Sequence, residues 1–241
     1  MTPDPVLDVA LDAEDMTERV ALWLANCVAF TERPVSLVLS GGSTPARLFR
    51  RLGSDAFRSA IDWSRLHIFW GDERFVPHDH PDSNYRLAYE TFLAHVPIPP
   101  DQIHPVLTEG TTPGEAAARY AETLQNFYGA TRLEEGRPLF DVVLLGIGTD
   151  GHTASLFPGT TALEEREAWV VAIEGVQKEP RISLTYPALG SSRTILFLVE
   201  GKAKQPILRE VLAQGSTLPA ARIATKGRIL IFTDKDTVSD A

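Results

Sequence analysis

Residues 140–159 (FDVVLLGIGTDGHTASLFPG) constrain the fold of this chain more than any other stretch. The stretch opens with an apolar run at residues 142–145, which is typical of a buried strand. Three glycines then surround one acid, Asp150, and one imidazole, His152. Ligands bind beyond the carboxyl ends of strands in open α/β sheets, and glycine lets the backbone approach a ligand closely. We therefore expect a buried strand that leads into a catalytic loop.

A second strand also leads into a glycine-rich turn, because the apolar residues 35–39 (VSLVL) run directly into residues 40–45 (SGGSTP). Pro45 suits the first position of a helix, and Thr44 suits its N-cap. A helix N-terminus offers free N–H groups and a favourable dipole to an anion, so the pattern predicts a phosphate site. A plain tight turn would show the same pattern. The residues that we expect to bind the anion are Ser40, Gly41, Gly42, Ser43 and Thr44.

A third strand ends in charges that apolar packing does not explain. Residues 66–70 (LHIFW) predict a strand, and Asp72, Glu73 and Arg74 follow it. A carboxylate accepts sugar hydroxyls or orients a base, and a guanidinium binds phosphate through two parallel hydrogen bonds. We expect Asp72 and Arg74 to reach the site, while a solvated charge cluster is the simpler alternative.

Three further cations lie near predicted element ends. Arg86 falls in the first turn of a helix that begins at Asn84, where a cation opposes the helix dipole. Arg181 begins a strand-like segment, and Lys202 follows the apolar strand at residues 194–199. We expect these cations to bind an anion, with an ordinary surface charge as the alternative for each.

Short apolar strands alternate with amphipathic helices along the 241 residues. The alternation indicates an α/β fold with a doubly wound, mostly parallel sheet flanked by helices. The length fits one domain over residues 1–241, with a polar tail at residues 234–241 that we expect to fray. Further predicted elements are a helix over residues 13–30, a capping box at residues 112–115 and strands at residues 169–173, 182–186 and 228–232.

The formal net charge of −9 argues against a general binder of nucleic acid or acidic membranes, which would present a basic face. No apolar run approaches the roughly 20 residues of a membrane helix, and the first residues lack the features of a signal peptide. We therefore expect a cytoplasmic monomer with a small-molecule substrate and no nucleic-acid or membrane partner.

Residues 146–151 (GIGTDG) fit the G-x-G-x-x-G pattern of dinucleotide-binding turns. Pro158 is poorly placed inside the helix that should follow, and no later strand carries the expected ribose-binding acid, so we do not expect a nicotinamide cofactor. Asp150 and His152 have no visible partner ligands for a metal. Ser155 does not stand in the G-x-S-x-G elbow of serine hydrolases.

Taken together, these segments resemble the 6-phosphogluconolactonase family. They occur in order over most of the chain, and the central segment is highly specific. The matching segments are LSGGSTP (39–45), WGDERFVP (70–77), SNYR (83–86), GIGTDGHTASLFP (146–158), PRISLT (180–185) and EGKAK (200–204).

The resemblance implies a single Rossmann-like domain that hydrolyses 6-phospho-D-glucono-1,5-lactone to 6-phosphogluconate, in the oxidative pentose phosphate pathway, without a metal or organic cofactor. His152 would then activate water, since histidine has a reference pKa of about 6.5. Either Asp150 or Asp72 would orient the base, or Asp72 would hold substrate hydroxyls. The family pattern also places Arg181 and Lys202 at the sugar-phosphate site. The backbone around Gly148 would contact the substrate.

Two other functions remain open. The related glucosamine-6-phosphate deaminases share the glycine turn and a DGH segment, which continues there roughly as DGHIAFNE. Phe157 stands at the position of that last Glu, so the acid that assists the deaminase histidine is missing here. A non-catalytic sugar-phosphate sensor would normally carry a DNA-binding segment, and the sequence shows none.

Overall fold

The computed structural model describes residues 4–238, which contain nine strands and eight α-helices. The strands are β1 (Val6–Ala10), β2 (Val35–Leu39), β3 (Leu66–Trp70), β4 (Asp72–Arg74), β5 (Phe140–Leu145), β6 (Val170–Ile173), β7 (Arg181–Leu184), β8 (Ser192–Val199) and β9 (Arg228–Asp234). The helices are α1 (Ala13–Ala29), α2 (Ser43–Leu52), α3 (Asp55–Ala60), α4 (Asn84–Thr91), α5 (Pro113–Tyr128), α6 (Tyr186–Gly190), α7 (Gln205–Leu212) and α8 (Lys235–Val238).

Six of the strands form a parallel sheet in the order β1-β9-β8-β5-β2-β3, which confirms the predicted α/β class. Every residue of the central strands β2 and β5 is buried, as expected for parallel strands covered by helices on both faces. Because the strands are parallel, the loops after β2, β3, β5 and β8 all leave the same edge of the sheet. The predicted functional loops are therefore neighbours.

A second, antiparallel sheet in the order β4-β7-β6 was not predicted. Gly71 joins it to the main sheet, because the Gly71 N–H donates to the Leu39 carbonyl (2.9 Å) and the Gly71 carbonyl accepts from the Leu184 N–H (2.8 Å). Strand β4 consists of three charged residues, a composition with low strand propensity. The small sheet therefore depends on tertiary pairing, and it extends from the main sheet at the edge that carries the functional loops.

Several helix starts follow the predicted capping chemistry. Ser83 caps α4. Thr112 and Glu115 form the capping box of α5, which begins at Pro113. The predicted Thr44 cap of α2 is wrong, since the helix begins two residues earlier with Gly42 as its N-cap at φ 108°. Glycine adopts this positive φ without strain, so the turn is tighter than a threonine cap would allow.

Residues 234–238 pack onto the fold, although we expected a frayed tail at residues 234–241. Asp234 ends β9, and its carboxylate accepts hydrogen bonds from the Gly201 N–H (3.1 Å) and the Thr237 hydroxyl (2.6 Å). Thr237 is only 1% exposed. The tail prediction is therefore wrong for residues 234–238, and residues 239–241 lie outside the described part. No helix within residues 4–238 has both the length and the apolar character needed to cross a membrane.

Candidate active site

A cleft of about 340 Å³ opens at the carboxyl edge of the parallel sheet, between the loops after β2 and β5 and the small antiparallel sheet. Most of the predicted site residues line it. These are Ser40, Gly41, Gly42, Asp72, Arg74, Gly148, His152 and Arg181.

The imidazole of His152 is held from behind by Asp150. The two side chains meet at 2.5 Å between Nδ1 and Oδ1, and the same carboxylate oxygen accepts the His152 backbone N–H at 3.1 Å. Burial alone would raise the pKa of Asp150, but these hydrogen bonds outweigh it and lower that pKa. An ionised carboxylate accepts a hydrogen bond from the Nδ1–H group, which leaves Nε2 as the basic nitrogen. Asp150 therefore acts on the imidazole and does not itself line the cleft.

Two close neighbours fix the plane of this imidazole. A Cβ atom at Gly148 would overlap the His152 ring and press on Asp150 Oδ1, so only glycine fits there. On another side the buried ring of Phe157 packs against His152 with 4.7 Å between centroids. The position that carries an acid in the deaminase pattern is thus an apolar contact in this chain.

Asp72 forms a second acidic feature of the cleft, distinct from the Asp150–His152 pair. Its side chain is mostly buried, with the residue 8% exposed, and Oδ2 accepts a hydrogen bond from Ser155 Oγ at 2.6 Å. The Asp72 carbonyl accepts from Asn84 Nδ2 at 2.9 Å, and Asn84 also lines the cleft. The backbone of Gly41 lies against the Asn84 amide, where a Cβ would collide.

Glu73 fixes the position of Asn84 by binding the first residues of α4. Its buried carboxylate accepts the N–H groups of Asn84 (2.7 Å) and Tyr85 (2.8 Å) at the start of α4, together with the Ser83 hydroxyl (3.2 Å). Burial raises the pKa of Glu73, against the opposing effect of these N–H donors. Glu73 thus serves the site through α4, and it is 1% exposed.

Arg74 and Arg181 are directly paired residues on the neighbouring strands β4 and β7 of the small sheet. Burial and then the nearby Arg74 charge lower the pKa of Arg181 below its ordinary value. Like charges directly opposite on paired strands are destabilising. An anion in the cleft would relieve this repulsion, so the pair marks one wall of an anion site.

The N-terminus of α2 provides uncharged donors at the opposite wall. The Ala46 N–H donates to the Gly42 carbonyl (3.1 Å), so the helical hydrogen bonds begin there and leave the N–H groups of Ser43 and Thr44 without helical partners. Ser43 and Thr44 are not among the residues that line the cleft, whereas Ser40, Gly41 and Gly42 are.

Lys204 takes the place in the cleft that we predicted for Lys202. Its Nζ donates to the Ile147 carbonyl at 2.7 Å, and the side chain lines the cleft. Both lysines belong to a 3-10 turn at Lys202–Lys204, and residues two apart on such a turn project to different sides. The structure therefore places Lys204, and not Lys202, along the cleft.

Arg86 also lies outside the cleft. Its guanidinium pairs with Glu90 one helical turn further on, at 2.7 Å, and donates to the Asp79 carbonyl at 2.7 Å. The cation that seemed to oppose the α4 dipole is thus neutralised along the helix. The structure therefore does not bring Arg86 together with the other predicted anion-binding residues.

Some residues of the cleft escaped the sequence-based prediction. Asn84 and Lys204 lie in segments that carry the family resemblance, but spacing alone does not show which side chain turns inward. Ser155 was considered only as a nucleophile. Gln177 comes from the loop between β6 and β7, and nothing in its sequence context marks it. Within residues 4–238, no group of three or more His, Cys, Asp or Glu side chains is placed to hold a metal ion.

Comparison with known proteins gives consistent matches over nearly the whole chain. A family model for glucosamine-6-phosphate isomerases/6-phosphogluconolactonase matches residues 10–231. The 6-phosphogluconolactonase of Synechocystis sp. is 37% identical over 238 residues, covering 96% of each protein. That of Nostoc sp. is 39% identical over 202 residues, covering 83% of this chain and 81% of the relative. The structure of 6-phosphogluconolactonase from Trypanosoma cruzi matches with a TM-score of 0.86 at 29% identity, over 98% of this chain and 97% of that one.

Proposed function

This chain belongs to the glucosamine-6-phosphate isomerase/6-phosphogluconolactonase family, and we propose that it hydrolyses 6-phospho-D-glucono-1,5-lactone to 6-phospho-D-gluconate in the oxidative pentose phosphate pathway. The observation that carries the proposal is the imidazole of His152, held by Asp150 at 2.5 Å inside a cleft whose walls offer cations and free N–H groups. The base matches the lactone carbonyl of the substrate, and the anion site in the same cleft matches its phosphate group.

His152 acts as the general base in this proposal. Nε2 removes a proton from water as the water oxygen forms a bond to C1 of the lactone and the carbonyl π electrons move onto the carbonyl oxygen. The carbonyl then re-forms as the bond from C1 to the ring oxygen breaks. The same imidazole returns its proton to the departing ring oxygen, so protons and electrons balance. A positioned acid or base contributes about 10²–10⁴-fold in rate, and the Asp150 carboxylate stabilises the imidazolium that forms between the two steps.

The phosphate group occupies the cationic part of the cleft. The backbone N–H groups at the start of α2, with Ser40, Gly41 and Gly42 before it, supply uncharged donors. Arg74, Arg181 and Lys204 supply positive charge. Asp72 accepts a hydrogen bond from a hydroxyl of the sugar ring, because Asp150 is already engaged with His152.

The reaction needs no cofactor in this proposal, because the imidazole of His152 activates the water. We further propose that residues 1–241 work as one domain, that the protein acts as a monomer in the cytoplasm, and that it has no nucleic-acid or membrane partner. The net charge of −9 supports the last point, since a general binder of nucleic acid or acidic membranes would present a basic face.

Phe157 argues against deamination or aldose–ketose isomerisation as the alternative. These reactions move protons with the help of a second acid beside the histidine, and here a buried aromatic ring packs on the imidazole. A non-catalytic sensor would have no need for the Asp150–His152 pair.

The test is to offer the protein fresh 6-phosphogluconolactone and, separately, glucosamine 6-phosphate. We expect 6-phosphogluconate to form faster than in a control without enzyme, measured through 6-phosphogluconate dehydrogenase, and no release of ammonia from the amino sugar. Ammonia release without lactone hydrolysis would assign the deaminase reaction instead. Binding of 6-phosphogluconate without either turnover would assign a sensor.

A further inference from the structure

Ser155 is a buried hydroxyl of the cleft to which the proposed reaction gives no role. It is 1% exposed and lines the cleft on the loop after β5. Its Oγ donates to Asp72 Oδ2 at 2.6 Å, and its backbone N–H donates to Ser183 Oγ at 3.2 Å. Ser183 is the residue of β7 that pairs with Asp72 of β4, so three residues from different elements meet at one point.

The geometry excludes Ser155 as a nucleophile. A serine hydroxyl has one proton, and a nucleophilic serine must pass it to an adjacent base such as an imidazole. Here the Ser155 hydroxyl donates its hydrogen bond to the Asp72 carboxylate and not to the imidazole of His152. Ser155 therefore acts on Asp72.

This hydrogen bond fixes what Asp72 offers to a ligand. An O–H donor to an ionised carboxylate makes a short, strong bond, and 2.6 Å lies in that range. Because Ser155 occupies Oδ2, Oδ1 is left to accept a hydrogen bond from a ligand. A carboxylate that is mostly buried and held at one oxygen loses little freedom when it binds a hydroxyl.

We infer that Ser155 is a positioning residue that orients the Asp72 carboxylate so that its other oxygen binds a hydroxyl of the sugar. The inference rests on the proposed function for the identity of the sugar. It assigns the recognition of the polyhydroxyl part of the substrate to Ser155 and Asp72, and it separates that task from the base held by Asp150.

A double-mutant cycle tests the inference through the affinity for 6-phosphogluconate, a stable ligand whose binding is measured by calorimetry. The four proteins are the wild type, Ser155→Ala, Asp72→Ala and the double variant. We expect Ser155→Ala to weaken binding about tenfold in the wild-type background, as for the loss of a hydrogen bond to a charged group, and less than about twofold once Asp72 is absent. In turnover, Ser155→Ala should raise KM more than it lowers kcat.

Thr153→Val is the matched control, because it removes another buried hydroxyl from the same loop. The Thr153 hydroxyl donates to the Gly146 carbonyl at 2.9 Å, not to Asp72. Its effect on binding should be the same with and without Asp72. Ser155→Cys, which keeps the shape but is a weak donor, replaces Ser155→Ala if that variant does not fold.

Equal weakening by Ser155→Ala in both backgrounds would overturn the inference, as would unchanged affinity in the wild-type background or no binding of 6-phosphogluconate by the wild type. The proposed function is judged separately, by wild-type hydrolysis of the lactone. A wild type that hydrolyses the lactone but shows an additive cycle would disprove only the role of Ser155.

Discussion

Two lysines that are two residues apart illustrate how the site is determined at the scale of single residues. Lys204 lines the cleft and donates to the Ile147 carbonyl, whereas Lys202 does not line it. Because the two side chains are chemically identical, the direction of each one, set by the 3-10 turn, decides which of them lines the cleft. The pair therefore offers a matched comparison of the same substitution inside and outside the site.

Lys204→Ala should reduce kcat/KM for 6-phosphogluconolactone about 10–100-fold, the range expected for one lost hydrogen bond between charged groups. Glucono-1,5-lactone, which lacks the phosphate, provides the internal reference, and its slower hydrolysis should change little. The measurement is the ratio of kcat/KM for the two lactones in each variant.

Lys202→Ala should keep a ratio close to that of the wild type, since the Lys202 side chain lies outside the cleft. A larger loss of phosphate preference in Lys202→Ala than in Lys204→Ala would contradict the assignment.

At the scale of elements, the loop after β5 shows why individual glycines matter. Gly148 and Gly146 are separated by one residue, yet a Cβ at Gly148 would overlap the imidazole of His152, while a Cβ at Gly146 would have no atom within 4 Å. The sequence shows both glycines but not this difference.

Gly148→Ala should lower kcat at least about tenfold, because displacing the imidazole by even 1 Å costs up to about 10²-fold in rate. Gly146→Ala should retain most of the activity, and both variants should unfold at temperatures close to that of the wild type. Equal losses of kcat in the two variants would show that the loop tolerates no side chain anywhere, and would refute a specific role for Gly148.

Two histidines, His67 on β3 and His104 in the segment after α4, make the stability of the fold depend on pH. His104 stacks on Phe69 with 4.5 Å between centroids, and its Nε2 meets His67 Nδ1 at 3.1 Å. Burial, and then the neighbouring His67, lower the pKa of His104 from 6.5 to about 4. Between these two values the unfolded chain binds more protons than the folded one, so stability decreases as the pH falls from about 6.5 to about 4.

His104→Phe should reduce this pH dependence, since phenylalanine can keep the stack and cannot be protonated. Urea unfolding of both proteins at pH 7 and at pH 4.5 gives the two changes in unfolding free energy. The change should be smaller in the variant, although His67 retains part of it because burial lowers its pKa too. An identical change in both proteins would show that His104 is not responsible.

For the whole molecule, most of the fold and part of the site could be predicted from the sequence. Period and composition located the strands of the parallel sheet, except β1, and topology then required their loops to share one edge. That was enough to bring together Asp72, His152 and the glycine turn at residues 40–45. Such inferences depend on backbone patterns, which are local.

The missed features depend on long-range geometry. The small sheet pairs Asp72 with Ser183 across more than a hundred residues, and no local propensity indicates that pairing. The turn before α7 determines that Lys204 and not Lys202 lines the cleft, and Arg86 pairs with Glu90 outside it. The roles of Asp150 and Asp72 could likewise be separated only once the partner of each carboxylate was known.

The central claim is that His152 is the base of a lactone hydrolase, and the most direct measurement is the rate of 6-phosphogluconolactone opening above the spontaneous rate. The proteins compared are the wild type, His152→Ala and His95→Ala, the last being an exposed histidine away from the cleft. We predict a clear excess rate for the wild type and His95→Ala, and a loss of about 10²–10⁴-fold in His152→Ala with its fold intact. Near-normal turnover by a folded His152→Ala would contradict the claim.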